Sequence, residues 1–219
     1  MVAISRNQNV ISIPASLKVI GIFGATFGLI GTLLATLTYL SGHSDFSMFT
    51  TFLSDIGDTH GWPQVLFNST TLIMAPIRYL IIVLVVLCLS RIGAGSTFVK
   101  AILIFGAIST FGTVMMTAVP FSVSKAIHLA SIPLYFFGLA ICQTIVGIEE
   151  WILRVPRILP ILSFLLVIAF LVFFVLVVLF EANVVSRAAA PIWQWIGFFI
   201  SLIWVYAHSI ILHKMDETQ

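Results

Sequence analysis

Six long apolar stretches divide the chain, and most polar residues lie in the segments between them. A helix needs about 20 mostly apolar residues to cross a bilayer core that is about 30 Å thick. The apolar stretches are continuous rather than alternating, which predicts helices and excludes the strands of a membrane barrel. We therefore predict an all-α bundle of six transmembrane helices, formed by residues 1–219 as a single domain. The predicted spans are about 17–40, 64–89, 97–119, 125–148, 158–180 and 191–213.

The basic residues are divided unequally between the two sides of this bundle, and the side richer in Lys and Arg is normally cytoplasmic. The richer side carries Arg6, Lys18, Arg91, Lys100, Arg154, Arg157 and Lys214. The other side carries Lys125 and Arg187. This distribution predicts cytoplasmic N- and C-termini and a long first extracytoplasmic loop from Ser41 to Pro63.

The composition supports a membrane protein and excludes other classes. Apolar residues make up 60% of the chain and charged residues 8%, whereas soluble domains carry about a quarter charged residues. The net charge of +2 offers no basic patch, which excludes a nucleic acid as partner. We expect a multi-pass protein of the cell membrane whose partners are membrane lipids.

Arg78 is the only charged residue that lies well inside a predicted span. It follows Pro63 by 15 positions and precedes Arg91 by 13, which puts it about 20 Å from either membrane surface at about 1.5 Å per residue. A charge at that depth costs at least about 2.5–3.5 kcal/mol and normally faces the interior of the bundle with a partner. No acidic residue lies at a comparable depth in any span.

The partner of Arg78 must therefore be the outer loop folded inward, backbone carbonyl groups or an anionic ligand. A guanidinium group suits phosphate or carboxylate because it can donate two parallel hydrogen bonds. Asn68 shares the helix face of Arg78, while Ser131 and Tyr135 are polar residues of the fourth span. The predicted ligand-binding residues are Arg78, Asn68, Tyr135 and Ser131.

Acidic and imidazole side chains lie on the same predicted outer side of the membrane. Such groups can form an acid–base pair, which makes Asp55, His60 and His128 candidate catalytic residues. Three of them can also hold zinc and leave a position for water, which makes Asp58, His60 and His128 candidate metal ligands. No compact motif such as HExxH is present. The alternative is that the acids cap helices and the histidines form hydrogen bonds at a hydrated interface.

Two apolar segments are predicted to contact lipid. In the outer loop, Phe46, Phe49 and Leu53 share one side at helical spacing, which indicates a short helix over residues 43–55 lying on the bilayer. The fifth span contains no polar side chain over residues 164–180. A helix that is apolar all round can face lipid on most sides, so we expect this span at the periphery.

Two short motifs carry a resemblance to a known family. The first is Ser54-Asp55-Ile56-Gly57, followed by Pro63 and by Leu66-Phe67-Asn68 at the start of the second span. The second is Val119-Pro120-Phe121 followed by Ile127-His128. In these motifs the chain resembles the prokaryotic six-span family catalogued as domain of unknown function nine-nine-eight. That family is distantly similar to the DRAM/Frag/Sfk group of eukaryotic six-span membrane proteins.

The resemblance covers most of the chain and implies a lipid-related role without a defined activity. Together with the residues above, it predicts an outward-facing polar pocket that binds an amphipathic or anionic lipid, with lipid modification at the outer leaflet as an enzymatic version. The alternatives are a non-enzymatic lipid carrier or binder and a structural subunit of a larger membrane complex, either a homo-oligomer or one with a partner membrane subunit. The sequence does not decide whether the protein is an enzyme.

Overall fold

The computed structural model describes residues 12–217, which form seven α-helices and one short 3-10 helix. The α-helices are α1 Ile13–Leu40, α2 Leu53–Asp58, α3 Trp62–Arg91, α4 Ser96–Ala118, α5 Lys125–Ile152, α6 Ile158–Glu181 and α7 Pro191–Glu217. The 3-10 helix is Arg187–Ala189. Six of the helices are long and apolar enough to cross a membrane, and the described residues contain no strand. The predicted all-α six-span architecture is confirmed, while Arg6 of the orientation argument lies outside the described residues.

The six long helices form a ring. Each of them packs against the next along the chain, and α1 packs against α7 to close the circle. The short helix α2 packs against α1, α3 and α7 at one end, which we call the α2 end. The opposite end, where α1 begins and α7 finishes, is called the terminal end. A single short helix therefore covers the α2 end of the ring.

Small residues of α1 allow its neighbours to approach closely. A Cβ atom at Gly31 would overlap the side chain of Thr70 on α3, and one at Gly21 would overlap Ser209 on α7. Small residues commonly let membrane helices approach at such interfaces. The glycine face of α1 is thus used for packing within the chain.

The expectation that the fifth span lies at the periphery is wrong. Leu166, Phe170 and Phe173 of α6 are buried, and α6 is a full member of the ring between α5 and α7. Only its outer face, which includes Ile168 and Val175, is exposed. Lack of polar side chains does not exclude a helix from the interior, because a cavity wall can be apolar.

The expected interfacial helix over residues 43–55 is also not formed. Residues 43–50 adopt turns, and regular helix begins at Leu53. The His43 ring stacks on Tyr39 with 4.0 Å between centroids, and the Phe46 ring meets the edge of Trp195 at 6.0 Å. The loop departs from the expected helix because its aromatic residues find partners on the ends of α1 and α7.

Candidate functional site

Two adjoining cavities occupy the interior of the ring. The shallow cavity, about 310 Å³, lies at the α2 end. The deep cavity, about 210 Å³, extends to Arg78. Both are lined by Ser54, Phe67, Met116, Thr117, Phe136 and Gln194. The two cavities therefore share a wall, and together, as the hollow, they extend from α2 to the middle of the bundle.

The helix α2 covers the shallow cavity and is tied to two long helices. The amide nitrogen Nδ2 of Asn68 donates to the carbonyl oxygen of Gly57 at 2.9 Å. The backbone N–H of Leu53 donates to Oε1 of Gln194 at 2.8 Å. Ile56 is fully buried beneath the helix. Hydrogen bonds thus hold α2 to α3 on one side and to α7 on the other.

Arg78 reaches the deep cavity without an acidic partner. Its Nη2 donates to Oγ1 of Thr113 at 2.6 Å and to the carbonyl oxygen of Ser109 at 3.4 Å. Its guanidinium carbon lies 5.2 Å from the centre of the Tyr135 ring. The Nε atom is buried without a hydrogen bond, and none of the ion pairs among residues 12–217 includes Arg78. A cation with open donors therefore faces an apolar cavity.

Gln143 is a second polar group of the deep cavity that sequence reasoning missed. Its side chain is 2% exposed, it lines the deep cavity, and its Oε1 atom has no hydrogen-bond partner. Buried acceptors in native proteins are normally paired. The sequence feature that could have indicated Gln143 is a single amide side chain in an apolar span, two helical turns after Tyr135. The wall of the deep cavity thus includes, besides Arg78, a buried acceptor without a hydrogen-bond partner.

The structure brings together three of the four predicted ligand-binding residues. Arg78 and Tyr135 line the deep cavity, and Asn68 lines the shallow one. Ser131 lines neither cavity: it is buried, and its hydroxyl donates to the carbonyl oxygen of Ile127 at 2.7 Å. The Ser131 hydroxyl therefore forms a hydrogen bond within α5 and does not face either cavity.

The two predicted acids of the loop line the shallow cavity, and each already has partners. Both carboxylate oxygens of Asp55 accept from Nη2 of Arg187, at 2.7 and 2.6 Å. Asp58 Oδ1 accepts from the backbone N–H of Ser122 at 3.0 Å and from its hydroxyl at 2.5 Å. These contacts tie the loop to the segments before α7 and before α5.

The two predicted histidines are separated in the structure. His128 lines the shallow cavity, and its Nδ1 donates to the carbonyl oxygen of Val119 at 3.2 Å. His60 is exposed and lines neither cavity. In the described part of the chain, no three His, Cys, Asp or Glu side chains lie close enough to hold a metal ion. The candidate zinc ligands Asp58, His60 and His128 are therefore not assembled into a site.

A buried titratable pair lies beyond the deep cavity, toward the terminal end. The side chains of Glu150 and His208 are 0% exposed, with 2.5 Å between Oε1 and Nε2. The Ser163 hydroxyl donates to Oε2 of Glu150 at 3.1 Å, and Trp204 Nε1 donates to that hydroxyl at 2.8 Å. The sequence analysis did not predict this pair, because the two residues belong to different spans with α6 between them. The sequence feature that could have indicated it is one titratable residue near the terminal end of each span.

A ring of six membrane-crossing helices around two adjoining cavities defines a multi-pass integral membrane protein with an internal cavity. The family model described as "Protein of unknown function (DUF998)" matches residues 20–211. The chain therefore belongs to this family, and the family resemblance of the sequence motifs is confirmed. A search of curated proteins and a search of solved structures each gave no match. The matched range contains every residue that lines the two cavities.

Proposed function

We propose that the protein binds an anionic amphipathic lipid in the cell membrane, with the acidic group at Arg78 and the apolar chain in the shallow cavity. The observation that carries this proposal is the open guanidinium of Arg78 in an apolar cavity. The basic-residue distribution supports an α2 end that faces outward, so the lipid would enter from the outer leaflet.

The chemistry of Arg78 favours an acid as ligand. A guanidinium has five N–H donors, and only those on Nη2 donate to described residues, Thr113 and Ser109. One hydroxyl and one carbonyl do not offset a buried positive charge, which is costly unless it is paired. Phosphate or carboxylate would accept parallel, charge-assisted hydrogen bonds from the open donors. The unpaired Oε1 of Gln143 would accept from a hydroxyl group on the same ligand.

The lining of the two cavities favours a lipid with one apolar chain. Aromatic side chains dominate the region where the cavities meet, including Phe136, Phe170 and Phe173. Cavities that hold small ligands are commonly about 300–1,000 Å³. The shallow cavity, at about 310 Å³, lies at the small end of that range. A lipid with a single chain therefore fits better than one with two.

The proposal is a binding function rather than lipid modification. Asp55 and Asp58 are held by Arg187 and Ser122, and His60 lies outside both cavities. An acid–base pair needs both members within hydrogen-bond reach of the reacting group. The open groups of the hollow, Arg78 and Gln143, suit recognition.

The test is binding of hexadecyl phosphate to the purified full chain, measured by native mass spectrometry, with uncharged hexadecanol as the matched ligand. A hydrogen bond to a charged group contributes about 1.5–3 kcal/mol, so Arg78→Gln should weaken phosphate binding roughly tenfold to hundredfold. Hexadecanol binding should hardly change. Arg154→Gln, at an exposed arginine of the terminal end, is the control. Equal phosphate affinity in Arg78→Gln and Arg154→Gln would overturn the proposal.

A further inference from the structure

The hydrogen bonds around Glu150 and His208 fix how many protons the pair holds. Nδ1 of His208 lies 2.7 Å from the carbonyl oxygen of Trp204, and a carbonyl oxygen can only accept. Nδ1 therefore carries a hydrogen. One further proton must lie between Nε2 and Oε1 of Glu150, because two acceptors at 2.5 Å would repel each other. The pair thus shares one proton and has no net charge, whichever atom carries that proton.

The buried surroundings keep the number of protons on the Glu150–His208 pair at one while α5 and α7 stay together. Both side chains are 0% exposed, and an unpaired charge without water is costly. Removing the shared proton would leave a buried negative charge, and adding another would leave a buried positive one. Apolar residues of similar volume often replace a buried pair without loss of stability. Joining the helices therefore does not require titratable residues, and titratable side chains inside membrane spans commonly mark proton sites.

The pair joins α5 to α7 beneath the deep cavity. Glu150 lies on α5 and His208 on α7, and Ser163 of α6 joins both Glu150 and Trp204. Trp204 lines the deep cavity, and its ring stacks on His208 with 4.0 Å between centroids. Trp204 therefore connects the wall of the deep cavity to the contact between Glu150, Ser163 and His208, which joins three helices at the terminal end.

We propose that Glu150 and His208 form a proton-binding site whose single proton is released when α5 and α7 separate at the terminal end. In water, free glutamate loses its proton near pH 4.3 and free imidazole near pH 6.5. Above about pH 6.5, the separated pair is a carboxylate and a neutral imidazole, and the shared proton has passed to water. When α5 and α7 come together again, the pair takes up one proton, and no other covalent bond is made or broken.

The remaining charged groups of this region have other positions or partners. Glu149, the other buried acid of α5, accepts from the backbone N–H of Gly95 at 2.8 Å. On α7, His213 is half-buried and Lys214 is exposed. The other cations at this end are exposed, and they are Lys18, Arg91, Lys100, Arg154 and Arg157. The hydrogen bonds of the pair itself involve Ser163 and the backbone of Trp204.

The separation of α5 and α7 should depend on pH by a definite factor. When one proton is released per opening event, the opening equilibrium rises tenfold for each pH unit above about 6.5. Below that pH, the separated pair keeps the proton on the imidazole, and the dependence disappears. This inference does not require the lipid proposal, since it concerns protons and helix separation alone.

The test is amide hydrogen exchange of the full chain in lipid nanodiscs from pH 5.5 to 8.5, expressed as protection factors so that intrinsic exchange rates cancel. Wild-type residues 204–212 of α7 should lose protection about tenfold per pH unit above pH 6.5. Residues 81–89 of α3, in the core, exchange only through wider unfolding and should stay better protected than residues 204–212 at every pH. Glu150→Gln keeps the shape but holds no shared proton, so above about pH 6.5 its protection should be independent of pH.

A pH-independent wild type, or equal slopes in wild type and Glu150→Gln, would overturn the proposal. Should Glu150→Gln fail to fold, the double variant Glu150→Leu with His208→Phe replaces it, because neither change then leaves a buried charge alone. A flat profile in that variant beside a tenfold slope in wild type supports the proton site, and matching slopes refute it.

Discussion

Replacing Ile56 with alanine should release α2 from the ring far more than replacing Asp55 with asparagine. Both residues belong to α2, and both hold it in place, one by apolar packing and the other through Arg187. The comparison therefore separates the two kinds of interaction within one helix of six residues.

The expected magnitudes follow from exposure. Ile56 is 0% exposed, and truncation of a buried Ile to Ala costs about 2–5 kcal/mol. The side chains of Arg187 and Asp55 are 48% and 29% exposed, so solvent screens their ion pair to about 0.2–1 kcal/mol. Asp55 also accepts from the backbone N–H of Phe52 at 2.9 Å, but asparagine keeps an oxygen for that hydrogen bond. We expect about 1 kcal/mol or less for Asp55→Asn.

Hydrogen exchange of residues 50–60 measures the difference directly. Ile56→Ala should speed exchange by roughly 30-fold to several thousandfold, and Asp55→Asn by about fivefold at most, since about 1.4 kcal/mol is a factor of ten. Ile73→Ala, at an exposed isoleucine of α3, is the matched control and should leave the segment unchanged. Asp55→Asn exchange as fast as that of Ile56→Ala would show that the ion pair holds α2 and would refute this reasoning.

Two further predictions concern packing and an unpaired acceptor. A Cβ atom added by Gly138→Ala would lie 2.8 Å from the backbone nitrogen of Ser109 on α4. Because backbone cannot move aside easily, the variant should lose about 1–3 kcal/mol in thermal unfolding, and Gly42→Ala, in an exposed turn, should lose almost nothing. Gln143→Leu removes a buried acceptor without a partner, so it should raise the stability of the delipidated protein by about 1–3 kcal/mol; a lower melting temperature would contradict the role given to that oxygen.

The apolar pattern predicts the six spans because each crossing needs a continuous apolar stretch. It does not predict where the helices begin and end, because polar groups set those points. The hydroxyl of Ser12 accepts from the backbone N–H of Ala15 at 3.2 Å, so α1 begins at Ile13 rather than near residue 17. At the other end of the chain, α7 continues to Glu217 through polar residues that a hydropathy pattern excludes.

The sequence predicts those features of the site that depend only on how deep a residue lies in its own span. It does not predict contacts between residues on different helices. The depth of Arg78 and the lack of an acid at that depth are properties of single spans, and among the described residues Arg78 indeed has no acidic partner. Thr113, its hydroxyl partner, is 35 positions away. Glu150 and His208 are 58 positions apart. Pairing such residues requires the order of helices around the ring, which hydropathy does not contain.

The ring cannot be completed before α7 is synthesised, because its last seam joins α1 to α7. Glu150 is synthesised 58 residues before His208, an interval of about 3–12 s at about 5–20 residues per second. During that time the carboxyl group lacks its imidazole, and the glycine face at Gly21 lacks α7. Both groups therefore stay without their α7 partners until that helix has been inserted.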